Sequence, residues 1–155
     1  MARWHTREDS GLRLDRRQRW WHDDEPIEHP RIVELFNRGL CPTGDGRYKL
    51  EVGKDWCFVT VEDAAYQVVA LDDEAGRLWL RLSDRTAEAL EPSSLSLDPE
   101  GVVTARVKHG QAKARFSRDA QFALGERLLP NAGGVRLLVG GTAVDVPGLA
   151  ALTTG

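Results

Sequence analysis

Two short stretches of this chain hold the residue types that do chemistry. His22, Asp23, Asp24 and Glu25, with Glu28 and His29 just behind, place two imidazoles and four carboxylates within eight residues. Such donors suit a divalent metal ion. Their spacing does not: neighbours on a strand or turn point apart, and no HxxxH or HExxH pattern sets both histidines on one helical face. The run therefore reads as a solvated acidic turn ahead of a helix, with Glu28 and His29 serving the helix N-terminus. Asp72-Asp73-Glu74 lacks the other ligands of a calcium loop and reads as a hairpin tip. No metal site is expected.

The second stretch is basic. Arg106, Lys108, His109, Lys113, Arg115 and Arg118 fall within thirteen residues. Strand alternation puts Arg106 and Lys108 on one face, and Lys113 and Arg115 on one face of the returning strand. A patch of that kind can hold a small anionic ligand or an acidic protein partner; the plainer reading is a solvated hairpin. No aromatic platform accompanies the charges, which argues against nucleic acid.

Nucleophiles are few. Ser83-Asp84 follows a strand but sits in no GxSxG elbow. Cys41 is expected on the loop at the C-terminal end of a helix, where the dipole does not favour a thiolate. Cys41 and Cys57 form no CxxC pair and read as reduced, buried or half-buried thiols. His109 stands at a turn. The pairs Gly133-Gly134 and Gly140-Gly141 match no phosphate-binding pattern. No catalytic residue and no cofactor are assigned.

Tryptophan is the other signal. Trp20, Trp21, Trp56 and Trp79 all fall in expected strands. Trp79 lies opposite the leucine face of its strand, between Arg77 and Arg81, as at an interface, and a homodimer would cover it. Trp56 and Trp79, with Arg106, Lys108, Lys113 and Arg115, are the candidate ligand-binding set, expected at a seam between two halves of the chain.

The frame that positions these residues follows from length and periodicity. The chain has 155 residues, is 41% hydrophobic and 29% charged, and carries a formal charge of -3. That length supports one compact domain or two small halves sharing a core. The acidic balance disfavours a generally basic nucleic-acid binder. No apolar run is long enough to span a membrane and no secretory signal opens the sequence, so a cytoplasmic protein is expected.

Leu12–Asp15 and Trp20–His22 read as a small hairpin after a loose arm over 1–11. A helix begins near Pro30, with Ile32, Val33, Phe36 and Leu40 on one stripe and Leu35 beside it. Tyr48–Val52, Trp56–Val61, Tyr66–Leu71 and Arg77–Leu82 alternate as strands, with Asp72–Gly76 as a loop and Ala87–Ser94 as a connector. Further strands are expected at Val102–Val107, Lys113–Phe116, Arg136–Val139 and Thr142–Val146. A second helix should run from an N-cap at Ser117 to about Leu129. Leu95, Leu97 and Asp98 repeat Leu12, Leu14 and Asp15. Leu14 and Leu97 stand 83 residues apart, and Gly53 and Gly140 stand 87 apart. The expected fold class is α+β, with antiparallel sheets, two helices and an internally repeated strand-hairpin-helix-hairpin motif. The halves are 12–91 and 92–155.

The run Trp20-Trp21-His22-Asp23-Asp24-Glu25-Pro26-Ile27, followed by Arg31, Val33, Leu35 and Phe36, resembles the opening of the bacterial family called domain of unknown function 1285. Asp45 to Leu50, Val59 to Ala64 and Leu78 to Asp84 continue the resemblance, which covers roughly residues 12–146. Two segments depart from the family pattern: Leu50 to Trp56, which in the family more often contains Pro and Glu-Lys, and Gln121 to Leu124, which lacks the usual Tyr. The resemblance implies a compact α+β protein with internally repeated motifs and a role in signalling or ligand sensing. It brings no established reaction. The expectation is a non-enzymatic ligand-sensing or signalling module. The alternative is an interaction module acting through a dimer or partner interface, with an enzyme third.

Overall fold

Alternation at Leu12–Leu14 and Trp20–His22 produces the first hairpin of the computed structural model, which describes residues 6–153. β1 (Leu12–Leu14) and β2 (Trp20–His22) pair antiparallel, and β3 (Glu25–Pro26) adds a short third strand. Leu14 and Trp20 turn inward and are buried. α1 (Pro30–Gly39) starts at a proline whose missing N–H would have no helical partner, and His29 caps it, Nδ1 accepting from the Arg31 N–H at 3.2 Å. At the far end, a side chain at Gly39 would run into the Glu51 carbonyl, so glycine is what lets the helix end lie on the sheet.

β4 (Leu40–Pro42), β5 (Tyr48–Val52) and β6 (Asp55–Val61) follow as a meander. The six strands form one sheet in the order β3-β2-β1-β6-β5-β4, antiparallel except where β1 lies parallel to β6. Leu40, Leu50 and Val59 join Leu14 and Trp20 in its core, and Tyr66 Oη donates to the Leu40 carbonyl at 2.8 Å.

β7 (Tyr66–Glu74), β8 (Arg77–Leu82) and β9 (Ala87–Ala89) form a second meander, with Leu78, Leu80 and Leu82 buried. β10 (Ser96–Leu97), β11 (Val103–Val107) and β12 (Ala112–Phe116) complete its sheet, ordered β10-β11-β12-β7-β8-β9. α2 (Arg118–Gly125) is capped by Ser117 and buries Ala120 and Leu124. β13 (Leu128–Asn131), β14 (Gly134–Val139) and β15 (Thr142–Asp145) make a third, antiparallel sheet. The chain divides into two compact units between Tyr66 and Gln67. The sequence reading has its boundary at 91/92. The division falls earlier because β7–β9 share a sheet with β10–β12.

The repeat is real in element order: three strands, a helix and three strands occur as β1–β6 around α1 and again as β10–β15 around α2. Matching turns carry it. Asp15 Oδ1 accepts the N–H groups of Arg17 and Arg19, and Asp98 Oδ1 accepts those of Glu100 and Val102, at 2.8 to 2.9 Å. Gly53 and Gly140 open the corresponding two-residue turns, both at positive φ.

Several expectations are corrected. Asp72–Glu74 extends β7, and the turn is only Ala75-Gly76. Ala87–Ala89, expected in a connector, pairs with β8. Cys41 sits in β4 opposite Lys49, not on a loop. α2 stops at Gly125 rather than near Leu129 because Leu128–Asn131 pairs with β14, and Pro130 is tolerated there on an edge strand. The α1 stripe is only partly covered: Leu40, just past the helix, is buried and Val33 and Phe36 are half-buried, while Ile32 and Leu35 are exposed. No helix among the described residues is long and apolar enough to cross a membrane.

Candidate functional site

The segment 6–11, read as part of a loose arm, runs along β6. The Phe58 N–H donates to the Arg7 carbonyl at 2.8 Å, and Ser10 Oγ donates to the Phe58 carbonyl at 2.6 Å. Arg7 places its guanidinium 4.7 Å from the centre of the Trp56 ring and 3.5 Å from Asp55 Oδ1. Trp56 meets Phe58 edge to face at 5.3 Å. Across from it, Phe36 of α1 packs edge-on against Trp20 at 5.3 Å, and Trp20 Nε1 donates to Asn37 Oδ1 at 2.7 Å. These contacts, with the close approach of Gly39 to Glu51, place α1 against the sheet.

Between α1 and the arm lies a cleft of about 540 Å³. Leu12, Ile27, Ile32, Phe36, Trp56 and Cys57 form its apolar wall, and Arg7, His22, Asp55, Ser10 and Thr6 contribute polar groups. Burial pushes the Cys57 thiol pKa up; a hydrogen bond with Ser10 works against this and the charge of Asp55 adds to it. Cys57 is therefore wall rather than nucleophile. A second, polar groove of about 590 Å³ is bounded by Glu8, Asp9, Asp23, Asp24, Arg13 and Arg47. Its cations are paired, Arg47 with Glu8 at 2.9 Å and Arg13 with Glu62 at 2.8 Å. Arg47 also lies over Phe58, and Arg13 over Trp21.

The acidic turn is spread among tasks. His29 caps α1, while His22 lines the cleft and lies 4.0 Å from Asp23. Among the described residues no group of three or more His, Cys, Asp or Glu side chains is arranged to hold a metal ion.

In the basic hairpin, Arg106 and Lys113 are opposite each other, as are Thr104 and Arg115. Arg106 donates to the Gly110 carbonyl at 2.9 Å. Lys108 leaves the strand into a turn at positive φ. Its Nζ lies 2.6 Å from Asp84 Oδ2 and 2.9 Å from Thr86 Oγ1. Arg115 is 3.6 Å from Asp98, both side chains nearly buried. Lys108 and Arg115 are thus spent on carboxylates of their own unit. Ser83 Oγ accepts from the Gln67 N–H, and His109 is exposed on the turn.

Trp79 is half-buried, its Nε1 donating to the Glu74 carbonyl at 3.3 Å. Arg77 and Arg81 beside it are exposed, and Arg81 pairs with Asp72 at 3.6 Å.

Trp56 is the sequence-derived site residue that lines the apolar cleft. Arg7 and Ser10 precede the first alternating segment and carry no periodic signal. Ile32 and Phe36 read as part of the apolar stripe of the first helix.

These elements define a mixed α+β protein built on a repeated three-strand, helix, three-strand motif. Its fold is that of DUF1285 family proteins, in accord with the resemblance read from the sequence. The structure is similar to a DUF1285 family protein from Silicibacter pomeroyi DSS-3, with a TM-score of 0.70 and 19% identity over 94% of this chain and 84% of that one. It is also similar to one from Shewanella baltica OS155, with a TM-score of 0.59 and 17% identity over 76% of this chain and 91% of that one. No family model and no curated protein matches the sequence.

Proposed function

We propose that this chain is a non-enzymatic sensing module that binds a small, largely apolar molecule in the cleft between α1 and β6. The observation that carries this reading is the cleft itself. Its volume falls in the range of small-molecule sites, and it joins an apolar wall to a few polar groups. Trp56 supplies a broad face and Ile32 and Phe36 the opposing one. A ligand that binds one position of α1 better than another would shift the helix toward that position, which is a means of signalling occupancy.

The test is titration with N-phenyl-1-naphthylamine, a neutral dye that fluoresces in apolar surroundings. One saturable site per chain is expected. Trp56→Ala should weaken it about tenfold, the order of a buried aromatic contact, while Trp79→Ala leaves it unchanged. Equal effects of the two substitutions would overturn the assignment.

The exposed side chains of Ile32 and Leu35 favour a second reading, in which the same helix docks on a partner or a second copy. Sedimentation of the dye-free protein separates the two readings.

A further inference from the structure

The charges at the cleft point to a more specific ligand. The apolar wall is long on hydrocarbon and short on hydrogen-bonding groups, so it selects for an alkyl or aryl body. Three side chains of basic or acidic type line the space among the described residues: Arg7, His22 and Asp55. Arg7 is the one that lies over an aromatic ring of the wall. Its guanidinium sits over the Trp56 ring, and its backbone is anchored by the hydrogen bond from Phe58.

Its carboxylate partner is weakly engaged. The Arg7–Asp55 contact is 3.5 Å long, with side chains 56% and 86% exposed. Ion pairs of that kind contribute little, so an incoming anion can replace Asp55 at small cost. Asp55 has another role to keep it in place, since its Oδ1 also accepts from the Trp56 N–H at 2.8 Å. A guanidinium stacked on an aromatic ring keeps its N–H edge available for a planar carboxylate.

We infer that the cleft takes a free amphipathic monoanion, a single hydrocarbon chain or ring bearing one carboxylate, with Arg7 holding the carboxylate above Trp56. This rests on the reading of the cleft as a small-molecule site and adds the charge of the ligand to it.

Displacement of bound N-phenyl-1-naphthylamine by decanoate and by decanol tests the inference on the intact chain. Decanoate should displace the dye at about tenfold lower concentration than decanol, the order of a charge-assisted hydrogen bond. Arg7→Gln should erase that preference. Asp55→Asn keeps an oxygen for the Trp56 N–H but removes the competing charge, and should tighten decanoate binding without tightening decanol. A merely structural Arg7 would not give this opposite sign.

Dye binding with equal displacement by the two compounds, or an unchanged preference in Arg7→Gln, would overturn the anion assignment and leave the cleft reading intact. Absence of dye binding would overturn both. Phosphatidylglycerol vesicles present anionic headgroups on a surface, and displacement by vesicles but not by decanoate would overturn the assignment to a free molecule.

Discussion

α1 and α2 occupy the same place in the element order of the two copies of the repeat, yet only α2 fully buries side chains. α2 follows three strands, is capped by Ser117 and buries Ala120 and Leu124 against its unit. α1 follows three strands, is capped by His29 and has Val33 and Phe36 only half-buried, with Ile32 and Leu35 exposed on its apolar stripe. Both sequences are amphipathic, so the difference does not lie in periodicity. In the first copy, segment 6–11 runs along β6 and Trp56 stands up from that strand, so the helix rests on Trp20 through Phe36. The space left over is the cleft. The comparison teaches that a duplicated frame can keep its turns and strand order while one copy leaves part of its helix's apolar stripe bordering a cleft.

Truncating each helix at an apolar residue probes this difference most strongly. Leu124 is fully buried, so Leu124→Ala should cost about 2–5 kcal/mol, read as a lowered urea midpoint. Leu35 is 45% exposed, and Leu35→Ala should stay within about 0.5 kcal/mol. Comparable losses would mean that α1 is covered in solution and that the contrast between the helices is false.

The hairpin glycines sharpen the comparison at a smaller scale. Gly53 and Gly140 have φ of 62° and 57°, so alanine at either carries roughly 1–2 kcal/mol of left-handed strain. A Cβ on Gly53 meets nothing within 4 Å, whereas one on Gly140 would come 2.5 Å from the Gly76 carbonyl oxygen. Gly140→Ala should therefore lower the melting temperature more than Gly53→Ala. Equal losses would show that the β7–β8 turn yields to the new side chain.

Much of the frame was legible in the sequence because alternation reports directly which residues face inward. Leu78, Leu80 and Leu82 are buried as their spacing requires, and the pairing of Asp15 with Asp98 marked the repeat across 83 residues. Element ends were less legible. Acidic residues read Asp72–Glu74 as a loop, but a solvent-facing carboxylate costs a strand little. The helical pattern through Leu128 was overridden by pairing of that residue with Leu137. Of the cleft, Trp56 was legible as a strand aromatic. Arg7 and Ser10 were not, because they act through backbone contacts with a strand far along the chain. The apolar stripe of α1 was plain, but periodicity says which face is apolar and not whether anything covers it.

The smallest effect lies in the paired aspartate turns, which agree at Oδ1 and differ at Oδ2. Asp15 Oδ2 accepts from Trp21 Nε1 at 2.9 Å and lies 3.4 Å from Arg19, while Asp98 Oδ2 lies 3.6 Å from Arg115. Burial works to raise the Asp15 pKa, but hydrogen bonds from Trp21, Arg19 and Arg17, with the charge of Arg19, outweigh it and hold the carboxyl below its ordinary value. A carboxyl more acidic in the folded chain than in the unfolded one stabilises the fold above the unfolded pKa, about 3.9. That stabilisation is lost as the pH falls through the folded value. Asp15→Asn keeps an oxygen for the turn but not the charge, so it should cost about 1 kcal/mol near neutrality. The deficit should shrink in acid as the wild-type carboxyl takes up its proton, read from urea midpoints between neutral pH and pH 3. Trp21→Phe should shift the acid limb of the wild-type profile toward higher pH, because the donor that keeps the carboxylate charged is gone. A deficit independent of pH would mean that Asp15 acts through its turn geometry alone, and the two aspartates would then be equivalent in both oxygens.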